Sequence, residues 1–190
     1  MLDNFFRVTK FIPKKCVESV YDIDFNKLYE EGKRIILFDI DNTLLSYKEL
    51  TPHTRLIELN KKLLDMGFKV YLISNNNGQR IEMIKEKFLI SGFIAKAKKP
   101  NPNKMKQFLE KNGFDLNTAI GVGDQILTDI LAFNRLKIDS VLVKSIDRST
   151  EHWYTKVNRM REARILRKIA KIDLEKYEEM INLYHEVKDE

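Results

Sequence analysis

The sequence predicts an α/β fold: a doubly wound parallel sheet with helices on both faces, no large cap domain and a helical C-terminal extension. Three observations carry this prediction. Short apolar runs, led by Ile35-Ile36-Leu37-Phe38, read as strands buried on both faces, which is how parallel strands look in sequence. These runs alternate with stretches whose leucines and isoleucines recur at helical spacing. Polar clusters stand directly after the runs, at the carboxyl ends of strands, where open α/β sheets bind their ligands.

The elements follow in order. Residues 34–38 form a strand closed by Asp39. Residues 54–66 place Leu56, Leu59, Leu63 and Leu64 on one helical face, and Gly67 is the stop signal. A second strand over 69–73 ends in Ser74-Asn75-Asn76-Asn77-Gly78, and 79–88 reads as helix. A short strand covers 93–95, and a helix runs from Pro102 to the stop at Asn112-Gly113. Residues 118–123 are a fourth strand, 126–136 a helix and 140–143 a fifth strand. The chain divides into an N-terminal arm (1–33), a core (34–150) and a helical extension (151–190).

Composition narrows the class. The 190 residues are 43% apolar and 33% charged, enough for a core beneath a charged surface. No apolar run reaches the roughly 20 residues of a membrane-spanning helix. Asp3, Arg7 and Lys10 interrupt the start, so it does not read as a secretory signal. The single cysteine, Cys16, permits no internal disulfide, and a cytoplasmic location is expected. A net charge of +6 points to an anionic partner: nucleic acid, phospholipid or a small phosphorylated substrate.

Four strand ends bring chemistry together. Asp39 and Asp41 follow the first, Ser74 and Asn75 the second, Lys99 the third and Asp124 the fourth, with Asp129 just inside the next helix. Four carboxylates in one cleft repel unless a cation compensates them. Oxygen ligands without nearby histidine or cysteine suit magnesium better than zinc. Magnesium, a lysine and a nucleophilic carboxylate together fit phosphoryl transfer.

The ordered set Asp39-Ile-Asp41-Asn42-Thr43, Ser74-Asn75, Lys99-Pro100 and Gly123-Asp124-Gln125-Ile126-Leu127-Thr128-Asp129 resembles the four motifs of the haloacid dehalogenase-like phosphatases. The resemblance implies that Asp39 attacks phosphorus and that Asp41 is the acid and base, oriented by Thr43. It further implies that Ser74 and the Asn75 backbone hold phosphoryl oxygens, and that Lys99 neutralises charge, with Lys98 as the competing choice. Asp39, Asp124, Asp129 and the carbonyl of Asp41 are the implied magnesium ligands. Other candidates have plainer explanations. Asp22 and Asp24 form a second Asp-x-Asp with no strand before it, and Asp24 reads as a helix N-cap. Cys16 reads as structural, and His53, His152 and His185 lack metal spacing.

No cap insertion fits between the motifs, which predicts an open site suited to a bulky substrate, or one closed over a small molecule by oligomerisation. Leu2, Phe5, Phe6, Val8, Phe11 and Ile12 are interleaved with basic residues, and 156–171 holds seven Lys or Arg against Glu162 alone. Both stretches fit a peripheral contact with anionic membrane, or simply a packed arm and a solvated helix. Asn42, Ser74-Asn75-Asn76-Asn77, the Gly-Asp-Gln-x-Leu-Thr-Asp segment and Asn134-Arg135-Leu136 are similar to the YqeG-type branch, related to phosphatidylglycerophosphate phosphatases. That likeness implies dephosphorylation of phosphatidylglycerophosphate at a membrane surface. Two readings compete: a soluble phosphatase of nucleotides, sugar phosphates or nucleic acid ends, and an RNA- or ribosome-associated binding protein.

Overall fold

The computed structural model describes residues 8–76, 79–85 and 87–184. The N-terminal residues Leu2, Phe5 and Phe6 of the expected interfacial segment lie outside the described residues, as do Asn77 and His185. Six strands form one parallel sheet: β1 (Lys15–Val17), β2 (Ile35–Asp39), β3 (Lys69–Ile73), β4 (Gly92–Ile94), β5 (Ala119–Gly123) and β6 (Asp139–Val143). Their order is β1-β6-β5-β2-β3-β4. From β2 the chain winds one way through β3 to β4. It then returns to β5 on the other side of β2 and continues to β6. The direction of winding therefore reverses between β2 and β5, where an open sheet leaves a crevice at the strand ends.

The period-two pleat sorts β2 between two cores. Ile36 and Phe38 face α1 (Phe25–Glu30), α2 (Thr54–Asp65) and α3 (Gln79–Lys85). Ile35 and Leu37 face α4 (Asn103–Lys111) and α5 (Leu131–Leu136). Every residue of β2 is buried, as its uninterrupted apolar run predicts. Capping follows the sequence cues: Asp24 accepts the Lys27 N–H at 3.0 Å and opens α1, while Gly67, at φ 93°, follows α2. The doubly wound architecture is as expected, with β2–β3 joined through α2 and β3–β4 through α3, and among the described residues no cap stands between them.

Two elements differ from the sequence expectation. β1 is a sixth strand, paired in parallel with β6 at the sheet edge. Its three half-buried residues, Lys15-Cys16-Val17, are too few to show a period. Burial pushes the Cys16 thiol up to about 12, in keeping with a structural role. The stretch expected as one helix over 126–136 begins instead as a wider π-type turn, Ile126–Ile130, before α5. The turn and α5 lie close on β5 because Gly121 has no side chain, and a Cβ there would overlap the Phe133 ring.

The C-terminal residues form a helical pair, α6 (Trp153–Ile169) and α7 (Leu174–Asn182). Leu166, Ile169, Met180 and Leu183 pack with Ile126, Ile130 and Leu142 into a third cluster, which also receives Phe11, Ile12 and Cys16. No helix among the described residues is long and apolar enough to cross a membrane.

One polar contact fastens the sheet edge. Asp139 of β6 accepts Lys14 and Lys33, each at 2.7 Å. Burial pushes the Asp139 carboxyl upward, but the two lysines outweigh it and hold the group below its ordinary value. Its folded pKa is thus depressed. The stabilisation is complete above the unfolded-state value and is lost as pH falls through the folded one. Asp139→Asn should cost about 1 kcal/mol at neutral pH, and the difference from wild type should vanish in strongly acidic buffer, as urea unfolding at the two pH values will show.

Candidate active site

The reversal of winding sets the end of β2 beside the end of β5, so Asp39 and Asp124 enter the same crevice. Asp41 lies in the turn after β2. Its neighbour Asn42 takes φ 66°, a left-handed conformation that asparagine tolerates better than most residues. Lys99 arrives from the loop after β4 and Asp129 from the π-type turn after β5. A cleft of about 330 Å³ opens on these groups and is lined by Asp39, Asp41, Lys99 and Asp129 among others.

Lys99 is buried, and its ammonium lies 2.5 Å from Asp39 Oδ1 and 2.6 Å from Asp129 Oδ1. Burial alone would lower the lysine; the two carboxylates reverse that and hold it above its ordinary value. Lys98 is exposed, so of the two lysines it is Lys99 that enters the site. Burial raises the carboxyl of Asp39, opposed by Lys99 and reinforced by Asp129, Asp124 and Asp41. Burial likewise raises Asp129. Asp41 is raised by burial against the opposing pull of Arg80, Lys99 and Asn76. Its partners are Asn76, which donates at 2.9 Å, and Arg80, whose Nε lies 3.2 Å away.

The remaining expected residues gather here too. Ser74 is buried, and its hydroxyl oxygen accepts the Asn76 N–H at 3.0 Å. The Asn75 side chain pins the peptide of Lys99, accepting its N–H at 2.8 Å and donating to its carbonyl at 3.1 Å. Thr43, expected beside Asp41, sets its hydroxyl 3.5 Å from Asp124 Oδ1 instead. The three carboxylates of Asp39, Asp124 and Asp129 each offer an oxygen within 4.8 Å of the others, a donor set that fits a hard cation.

One wall of the cleft was not expected. Tyr154, Thr155, Asn158 and Arg161 of α6 line it, so the C-terminal helices wall a site expected to be open. Arg159 of the same helix is half-buried and pairs with Asp124, and Glu151 and Glu162 flank it. The sequence holds one hint of this. Glu162 is a lone acid in a basic stretch, three residues after Arg159, as a buried ion pair within one helix requires.

Residues 96–171 match the HAD-hydrolase-like family model. The chain is 33% identical over 156 residues to the probable phosphatase YqeG of Bacillus subtilis, which covers 82% of this chain and 90% of that protein. The chain belongs to the haloacid dehalogenase-like hydrolases. Within them it falls on the branch of the YqeG-type proteins. A cobalt-bound deoxy-D-mannose-octulosonate 8-phosphate phosphatase from Haemophilus influenzae shares the fold at 17% identity and a TM-score of 0.50, over 70% of this chain and 77% of that one. A family enzyme from Bacteroides thetaiotaomicron, solved as a magnesium complex, aligns at 14% identity and a TM-score of 0.49, over 63% and 97%.

The cleft depends on close backbone approach at Gly123. A Cβ there would overlap the Cβ and carboxyl of Asp129. Gly123→Ala should therefore push Asp129 off Lys99 and destabilise the protein by about 1–3 kcal/mol, read from the urea midpoint.

Proposed function

We propose that the protein is a magnesium-dependent phosphomonoesterase working through an aspartyl-phosphate on Asp39, with phosphatidylglycerophosphate at a membrane surface as its substrate. The observation that carries the chemistry is the buried grouping of Asp39, Asp129 and the Lys99 ammonium beside Asp124, at the point where the sheet reverses its winding. Kinship with the probable phosphatase YqeG supports the same reaction class.

In this reading a carboxylate oxygen of Asp39 forms a bond to phosphorus as the ester P–O bond breaks, and Asp41 gives its proton to the departing alkoxide. Asp41 then takes a proton from the water that attacks the aspartyl-phosphate, which frees inorganic phosphate and restores Asp39. Lys99 offsets negative charge on Asp39 and on the phosphoryl group throughout. Ser74 keeps its own hydroxyl proton for a phosphoryl oxygen, because its oxygen is the acceptor in the bond from Asn76. Asp39, Asp124, Asp129 and the carbonyl of Asp41 would hold magnesium, which supplies positive charge to the phosphoryl oxygens.

The lipid assignment draws on α6. The helix that walls the cleft also presents Trp153, 77% exposed, and Met160, 65% exposed, together with Lys156, Arg161 and Arg164. Aromatic and cationic residues mixed on one helix suit an anionic lipid interface. The small cleft volume favours a second reading, a phosphatase of soluble monoesters.

The deciding experiment is phosphate release from phosphatidylglycerophosphate in mixed micelles, with and without magnesium. Wild type should release phosphate only with magnesium, and Asp39→Asn should release none. Asp41→Asn should slow turnover by roughly 10²–10⁴-fold and accumulate phosphorylated protein, detectable by intact mass after acid quench. Release from an aryl phosphate but not from the lipid would keep the mechanism and move the substrate to the soluble class.

A further inference from the structure

Asp124 is held by two donors on one oxygen. Ser145 donates to Oδ2 at 2.7 Å, and the Arg159 guanidinium bonds the same atom through Nη2. Nη1 of that guanidinium donates at 2.9 Å to the main-chain carbonyl of Asp124. Arg159 thus grips the backbone and the carboxylate of one residue simultaneously, which fixes how the side chain turns. Among the described residues the other oxygen, Oδ1, has only the Thr43 hydroxyl at 3.5 Å.

Arg159 is itself held from behind. Glu151 accepts its Nε at 3.0 Å and its Nη2 at 2.8 Å, and Glu162 lies 3.3 Å from Nη1. Glu162 also accepts the Leu127 N–H at 2.8 Å, in the turn that carries Asp129, and the Tyr184 hydroxyl at 2.7 Å, just beyond α7. Glu151 and Glu162 are both buried. The helical pair therefore holds both carboxylate-bearing segments that follow β5, one through Arg159 and the other through Glu162.

We propose that Arg159 is a positioning residue: it clamps Asp124 so that Oδ1 stays turned toward the cation, which makes docking of α6 and α7 a condition for tight metal binding. The inference rests on Asp124 being a metal ligand. A planar fork can hold carbonyl and carboxylate together, whereas an ammonium delivers the same charge from one point, so lysine does not substitute. Residues that orient a metal ligand contribute about 10–100-fold in metal affinity when intact. Because coupling is reciprocal, magnesium should also strengthen the docking of the pair.

The test is titration calorimetry of magnesium into the full-length chain, well below the melting temperature, for wild type, Asp124→Asn, Arg159→Lys and Glu151→Gln. Wild type should bind magnesium and Asp124→Asn should not. Arg159→Lys should bind about 10–100-fold more weakly. Glu151→Gln, which loosens the arginine without touching Asp124, should also weaken binding, and it decides the matter if Arg159→Lys does not fold. Proteolysis within α6 and α7 of wild type should slow when magnesium is added. Lower melting temperatures with unchanged magnesium affinity would reduce Arg159 to a structural ion pair and overturn the proposal, as would tighter binding, which would make it a competitor of the cation. No magnesium binding by wild type would remove Asp124 as a ligand and the clamp with it, whereas binding by wild type with no effect of either variant would remove the clamp alone.

Discussion

A cluster of buried carboxylates is unstable on its own, because each charge loses its hydration and is repelled by its neighbours. In this protein Lys99 meets that constraint for Asp39 and Asp129, and Arg159 meets it for Asp124. Much of the local architecture can be understood as what holds those two cations in place. The Asn75 side chain fixes the peptide of Lys99, and Glu151 and Glu162 fix the guanidinium of Arg159. The arginine group carries more buried negative charge than positive, since Asp124, Glu151 and Glu162 surround one guanidinium. Hydrogen bonds from Leu127, Ser145 and Tyr184 offset part of that excess.

The sheet explains why these groups meet at all. Asp39 and Asp124 are far apart in sequence but stand at the ends of adjacent strands, and the change of winding direction keeps the crossover helices from covering the gap between them. The glycines of β5 then let the next turn lie flat enough for Asp129 to reach Lys99. Larger residues at those positions would lift the turn away from the strand.

What the sequence reveals depends on how each residue signals its environment. The run Ile35-Ile36-Leu37-Phe38 and the polar clusters after the strands expose the fold and most of the cleft, because burial and strand ends leave local patterns. β1 leaves none, since three half-buried edge residues have no period. The site face of α6 was misleading for a different reason. Thr155, Asn158, Arg159 and Glu162 are polar, and polar residues on an amphipathic helix ordinarily face water; here they face a polar cleft and its supports. Only tertiary contacts distinguish the two cases, and the solitary Glu162 was their one trace in the chain.

The pairing of β1 has a consequence for biosynthesis. Lys15 finds its partner at Val141, so β1 is synthesised long before the strand it pairs with. Through that interval β2, β3 and β4 can associate among themselves, but the β1 segment with its apolar flank Phe11 and Ile12 must wait uncovered. Its brevity, its Lys15 and the adjoining Lys14 then act as protection, keeping a waiting edge from recruiting strands of other chains until β6 emerges.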